Sequence, residues 1–304
     1  MLRTAEDSGS HRHARSGAIA LLIWAPNLVW QVREGFPSMT YIANHRGSGG
    51  GPLAYFIEIV AYLFFLLPLW LAGLMSLFRT RLLCPIAIAC TVPLLLFLFV
   101  GKSYYAAGTV PIALAQGLMA LSKVKHAKRR RLMEIAVVIG SFLEFVAFAP
   151  LTLPVTPPER LHASGLETKN EVFADSVGWE DIAQQVTTVY ANLPAPERES
   201  TVIISAYYGV PGALAIYGNP KQPPEVVSPQ LSDYYWLPAN LTATDALMVD
   251  YQPSDVAWMC TSTRLIGHLT VPYDVNGLEQ GAPVTFCELN APIQGLWPNL
   301  RNFS

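Results

Sequence analysis

The stretch VGKSYYAAGTVPIALAQGLMALSKVKHAKRRR, Val100 to Arg131, decides the architecture of this 304-residue chain. Six cations (Lys123, Lys125, Lys128, Arg129, Arg130 and Arg131) fall within nine residues after its apolar run. Lys and Arg density in short loops determines which side of a membrane a loop occupies, so the cluster is placed in the cytoplasm. One bilayer crossing takes about 20 residues at roughly 1.5 Å each. Counting back over that distance puts Gly101, Lys102, Ser103, Tyr104 and Tyr105 at the opposite face, where function is expected.

Working outward, 52% of the chain is hydrophobic and 14% charged, with a mean hydropathy of +0.32. That is too apolar for one ordinary soluble domain. The average conceals two unlike halves. Residues 1–151 carry 14 Lys and Arg against 6 Asp and Glu, whereas residues 152–304 carry 6 against 16. A basic, apolar half joined to an acidic, polar one reads as a membrane domain followed by a soluble domain. The acidic half excludes nucleic acid as a partner, because phosphate binding needs a basic surface. Cys84 and Cys90 sit in an apolar run, while Cys260 and Cys287 can form a disulfide if the soluble half faces an oxidising compartment. No Cys or His spacing suggests a metal, so no metal ligand and no cofactor is assigned.

Taken in order, residues 1–16 are polar and aperiodic and read as a disordered cytoplasmic tail. Five apolar segments follow, at about 17–31, 52–78, 82–100, 104–121 and 132–151. Gln31 to Gly51 reads as a loop whose glycine run (Gly47, Gly49, Gly50, Gly51) is a connector, and Pro68 is expected to kink the 52–78 segment. With 17–31 running outward, every basic loop lands inside, and residues 152–304 become extracytoplasmic. Within that half, Gly178–Leu193 has the spacing of an amphipathic helix, Thr201–Ser205 and Ala246–Asp250 read as strands, and Val210–Tyr217 as a short helix. A helix over Ser254–Cys260 and strands over Arg264–Val271 and Val284–Glu288 complete the pattern. The alternation predicts an α/β domain. The expected fold is thus a polytopic α-helical membrane domain followed by a soluble extracytoplasmic α/β domain.

Ionisable groups at membrane depth are costly, which makes each one a functional candidate. Lys102 ends an outward segment, where its cation either neutralises a substrate phosphate or snorkels to anchor the helix. Glu58 and Glu144 lie about 9 and 10 Å below the outer ends of their helices. They either pair, with Lys102 or with each other, or supply supporting carboxylates. Tyr104 and Tyr105 stack on a sugar, bond a phosphate oxygen, or simply belong to an aromatic belt. Glu134, four residues after Arg130, needs only an ion pair. Tyr207-Tyr208-Gly209 and Tyr234-Tyr235-Trp236 follow predicted strand edges and read as packing or as a carbohydrate surface.

The order of PNLVWQVREGFP (Pro26 to Pro37), GPLAYFIEIV (Gly51 to Val60), PLWLAGL (Pro68 to Leu74) and GKSYYAAGTVPIALAQG (Gly101 to Gly117) resembles the C-terminal part of bacterial family 39 type membrane glycosyltransferases. PPERL (Pro157 to Leu161), GWEDIAQQVTTVYANLP (Gly178 to Pro194), GALAIYG (Gly212 to Gly218) and the NGL and FCEL elements around Asn276 and Cys287 continue it. The resemblance implies a GT-C enzyme of the bacterial inner membrane. Such an enzyme moves a sugar from a polyprenyl-phosphate donor to an extracytoplasmic lipid, glycan or protein acceptor. It also implies that the catalytic carboxylate, which acts as base or helps hold a divalent metal in the full-length family, belongs to an N-terminal half outside this chain. Lys102, Tyr104 and Tyr105 occupy the positions expected to contact the donor phosphate, with Glu58 and Glu144 in support. The alternative is a membrane-anchored α/β module without catalysis, binding glycan or a partner protein.

Overall fold

The computed structural model describes residues 3–45, 51–98, 103–218 and 224–303. Its first half is helical throughout: α1 (Arg3–Arg33), α2 (Pro37–Asn44), α3 (Gly51–Tyr62), α4 (Leu67–Arg79), α5 (Cys84–Phe97), α6 (Val110–Ser122, entered through a 3-10 turn over Ser103–Thr109) and α7 (Ala127–Thr152). Among the described residues, Tyr104–Ser122 and Ala127–Thr152 are long and apolar enough to cross a membrane. The basic cluster spans the turn between them and the start of α7. Arg130 and Glu134 pair at 3.5 Å on the exposed first turns of α7, as their spacing predicts.

Several expectations need correcting. Residues 3–16, read as a disordered tail, belong to the continuous helix α1, and no proline precedes Pro26. The Gln31–Gly51 loop contains α2, opened by Pro37 in its first turn and by Phe36 in the left-handed region (φ 59°). Gly47, Gly49 and Gly50 lie outside the described residues. Among its described residues the 82–100 segment holds the 14-residue α5, about 21 Å of helix against a hydrocarbon core of about 30 Å.

The 52–78 segment is sharply broken rather than kinked. α3 and α4 meet at 105°, so together they make either a third, broken span or a re-entrant pair. Pro68 stands in the first turn of α4. It has no N–H to offer the carbonyl of Phe64 and its ring crowds that carbonyl, so the chain leaves helical geometry one turn before the proline.

α4 packs closely on α6 through glycine. A Cβ built on Gly73 would lie 1.8 Å from the Ala113 carbonyl oxygen, and one on Gly117 would lie 2.3 Å from that of Leu69. Where lipid removes any hydrophobic drive between helices, such backbone proximity supplies the van der Waals packing that holds them together.

The second half continues with α8 (Pro158–Ser164), α9 (Glu171–Asp175), α10 (Trp179–Ala191), α11 (Ala195–Ser200), β1 (Thr201–Ser205), α12 (Gly209–Tyr217), β2 (Val226–Val227), β3 (Asp245–Val249), α13 (Pro253–Val256), β4 (Cys260–His268), β5 (Pro283–Leu289) and α14 (Ile293–Leu300). The strands form one sheet in the order β2-β1-β3-β5-β4. β1 runs parallel to β2 and β3, while β5 is antiparallel to β3 and β4. Ile203, Leu247 and Val284 pack toward Ile182 and Val186 of α10 and Val210 and Leu214 of α12. Val202, Ile204 and Met248 pack toward Val256 of α13 and Ile293, Leu296 and Trp297 of α14. Helices on both faces explain why β1 is apolar without alternation.

The helix expected over Ser254–Cys260 stops at Val256, and β4 begins at Cys260 rather than Arg264. Cys260 opposes Leu289 on β5 and is disulfide-bonded to Cys287, which draws this segment into the sheet. The bond closes a sequence separation of 27 residues, so Cys260→Ser is expected to lower the stability of this half by about 3 kcal/mol. Chemical unfolding of the oxidised wild type and of the variant, followed by near-UV circular dichroism, measures the difference.

Candidate functional site

The motif residues fall near two cavities at the end of the helical half away from the basic cluster. The first, about 420 Å³, is lined by Ile59, Tyr62, Leu63, Leu94, Tyr104 and Val110, among others. Its walls come from α3, α5 and the 3-10 turn leading into α6. The turn itself places Tyr104 and Tyr105 side by side, with ring centroids 4.8 Å apart, and Phe97 packs on Tyr105 at 5.2 Å. The surface is apolar except at its tyrosine and threonine edges. Such a volume suits a hydrocarbon chain whose polar end reaches the tyrosines.

The second cavity, about 380 Å³, lies where the two halves touch. Trp30, Pro37, Ser38, Tyr41 and Ile42 from α1 and α2 face Leu231, Ser232, Tyr235 and Phe303. Trp30 meets Tyr235 edge-on at 5.4 Å, and Asn44 Nδ2 donates to the Phe303 carbonyl at 3.3 Å. Tyr105 lies beside Tyr104 of the first cavity and close enough to Tyr41 of the second for their phenols to interact.

The predicted residues are only partly brought together. Tyr104 lines the first cavity and Tyr105 backs it. Lys102 lies outside the described residues. Glu58 is half-buried on α3 and makes no hydrogen bond or ion pair to a described residue. Glu144 pairs with neither Glu58 nor any described cation. Instead its Oε2 accepts the backbone N–H of Phe65 at 2.9 Å. That N–H is one of the groups freed where α3 breaks from α4, so the carboxylate satisfies a backbone donor that the helix no longer pairs. Its Oε1 is buried without a hydrogen-bond partner and faces a third cavity of about 320 Å³, with Tyr62, Ser141 and Thr152 nearby. Tyr62 and Thr152 are shared with the first cavity. Among the described residues, no group of three or more His, Cys, Asp or Glu is arranged to hold a metal ion.

Sequence reasoning missed a cluster of acids in the soluble half. Tyr207 follows β1, and Asp250 follows β3 in the left-handed region (φ 62°), so both stand beyond the carboxyl ends of parallel strands. Beside them are Asp175 and Glu279. Glu279 is 1% exposed and both its carboxylate oxygens are without partners. Burial, then the charges of Asp250 and Asp175, push its carboxyl up to about 7. Burial also raises Asp250, with Asp255 adding to the effect, and it raises Asp175 and the Tyr207 phenol. Position after a parallel strand was the available signal, since α/β sheets place their polar crevices there. The Asp250 and Tyr207 positions were visible; the approach of Glu279 was not.

The NGL element, Asn276 to Leu278, turns out to be held by acids. Asn276 donates through its backbone and its side chain to Glu167, and Leu278 N–H donates to Asp175 Oδ1 at 2.9 Å. His162 also bonds Glu167, at 2.7 Å. Burial pushes the Glu167 carboxyl up, but the hydrogen bonds from His162 and Asn276 outweigh it and hold the group below its usual range. This element therefore positions the loop that carries Glu279.

No family model, curated protein or solved structure matches this chain, so the resemblance to family 39 transferases rests on the order of its motifs.

Proposed function

We propose that this chain is the C-terminal part of a GT-C type membrane glycosyltransferase, with the cavity behind Tyr104 holding the first isoprene units of a polyprenyl-phosphate-sugar donor. The observation that carries this reading is an apolar cavity of about 420 Å³ lined by Tyr104 of the motif GKSYYAAG. In this reading α1, the α3–α4 pair, α5, α6 and α7 account for five membrane segments, with the 123–131 cluster in the cytoplasm. The soluble half then faces the periplasm, where the Cys260–Cys287 disulfide is chemically at home.

The reaction forms a bond from an acceptor oxygen to the anomeric carbon as the bond from that carbon to the phosphate oxygen breaks. The electron pair leaves on phosphate, and the acceptor proton passes to a carboxylate base of the N-terminal half. Within this chain, Lys102 stabilises the phosphate charge, Tyr104 and Tyr105 shape the cavity mouth, and Glu144 keeps the α3–α4 break closed. Glu58 is a supporting carboxylate beside the same cavity.

The test is transfer of label from a polyprenyl-phosphate sugar in membrane vesicles that contain this chain joined to an N-terminal catalytic half. Lys102→Ala is expected to lower transfer by about 10²-fold, the scale of losing one charge stabiliser. Tyr104→Ala is expected to raise the donor concentration needed for half-maximal rate. Unchanged kinetics in both variants sink the assignment and favour the non-catalytic glycan-binding module, for which the Tyr207–Tyr208 pair and Trp179, stacked on Tyr207 at 6.1 Å, offer an aromatic surface.

A further inference from the structure

The seam cavity between α1, α2 and the soluble half carries chemistry that the transfer reaction does not use. Its walls are apolar at Trp30, Pro37, Ile42, Leu231 and Phe303 and carry hydroxyls at Ser38, Tyr41, Ser232 and Tyr235. Gln31 orients Ser38 by accepting its backbone N–H at 3.3 Å and donating to its Oγ at 2.5 Å.

At the edge stands Arg301. Its guanidinium lies 4.5 Å from the Phe303 ring, 5.2 Å from that of Tyr234 and 5.6 Å from that of Tyr235. Nη2 donates to the Tyr235 hydroxyl at 2.7 Å and, at 3.5 Å, to the Glu34 carbonyl. Among the described residues no carboxylate comes within ion-pair distance of it, although the Glu34 carboxylate is near enough to act on Tyr235. Arginine offers five N–H donors in a fixed fork that matches phosphate, and among the described residues its recorded acceptors are the Tyr235 hydroxyl and the Glu34 carbonyl.

Two further observations point to a ligand at the membrane edge. Leu231 on one wall, and Phe36 next to the facing wall residue Pro37, both hold left-handed backbone (φ 50° and 59°), a conformation that bulky residues adopt only where surroundings enforce it and that gathers at ligand clamps. Trp236, in the same 3-10 turn as Tyr235 (Leu231–Trp236), is 73% exposed. In the proposed orientation Trp236 lies at the outer face near the end of α1, and exposed tryptophan is typical of the headgroup layer.

We propose that this cavity binds one anionic phospholipid of the outer leaflet, its phosphate on Arg301, its glycerol region on the Ser38 and Ser232 hydroxyls and its upper acyl chain against Trp30 and Ile42. The lipid then fastens the soluble half to the membrane half. The proposal rests on the orientation given above and not on the transferase assignment.

The test uses the full chain in nanodiscs of mixed phosphatidylglycerol and phosphatidylcholine, with lipid retained after detergent extraction counted by native mass spectrometry. Arg301→Gln is expected to reduce retained phosphatidylglycerol about tenfold, the loss of one charge-assisted contact. Ser232→Phe, which fills the cavity and leaves Arg301 in place, is expected to reduce it similarly, and near-UV circular dichroism reports that each variant is folded. Equal retention by both folded variants overturns the proposal. Release of the lipid by excess inorganic phosphate alone also overturns it, in favour of a free-anion site. Labelling of Trp236→Cys by an impermeant maleimide on spheroplasts tests the orientation separately, so failure of the topology is distinguishable from failure of the lipid site.

Discussion

Gly73→Val is expected to abolish the packed membrane half. The first atom of any side chain at this position would sit 1.8 Å from the Ala113 carbonyl oxygen, 2.7 Å from its carbon and 2.9 Å from Gly117 N. All of these are backbone atoms of α6, so no rotamer change relieves the clash, and α4 and α6 must separate by several ångströms. In lipid the separated helices recover no hydrophobic energy, and the loss is expected to exceed about 4 kcal/mol, the range that marks disruption of a core. α5 packs beside this pair and holds Cys90 at 1% exposure. In a Cys84→Ser background, Cys90 should resist a membrane-permeant maleimide in the wild type and react readily once Gly73 is replaced. Unaltered protection would show that the close approach of α4 and α6 does not hold this half together.

Glu279→Gln is expected to stabilise the soluble half at pH 8 by roughly 3 kcal/mol and to flatten its pH dependence. The Glu279 carboxyl titrates near 7 when folded, against an ordinary value of 4.5. The folded state therefore holds a proton that the unfolded chain has released. The stability this provides is complete below pH 4.5 and declines as pH rises to about 7, beyond which it is lost. Asp250 and Asp175, both raised, act in the same direction. Glu167, held below its usual range, opposes them and contributes stability that disappears in acid. Glutamine keeps the shape of Glu279 and cannot ionise, so it removes the largest part of the slope above pH 5. Urea unfolding at pH 5 and pH 8, with the wild type beside Glu279→Gln, reads the effect directly; parallel slopes in the two proteins would mean that Glu279 is ionised in the folded chain.

Much of the architecture was legible from local pattern. The amphipathic spacing of Trp179, Ile182 and Val186 located α10, and the unbroken apolar runs TVIIS and ALMV located β1 and β3. Charge asymmetry separated the halves, and the six cations after Leu121 marked the turn of the α6–α7 hairpin. Each of these signals lies within one element, at a spacing set by the helix or strand repeat. The candidate site was legible to the extent of its tyrosines, because Tyr104 and Tyr105 adjoin one another in sequence at a segment end.

What the sequence by itself determined is the apolar, basic half followed by an acidic α/β half, since hydropathy, charge and periodicity are local properties. Only the tertiary structure decided what the buried acids do. Glu144 reaches the freed N–H of Phe65 across 79 residues, and Glu167 reaches Asn276 across 109. Arg301 meets the end of α1 across 267 residues. A carboxylate or guanidinium takes its partner from whatever folding brings within hydrogen-bond distance, and spacing along the chain holds no record of a contact made through space.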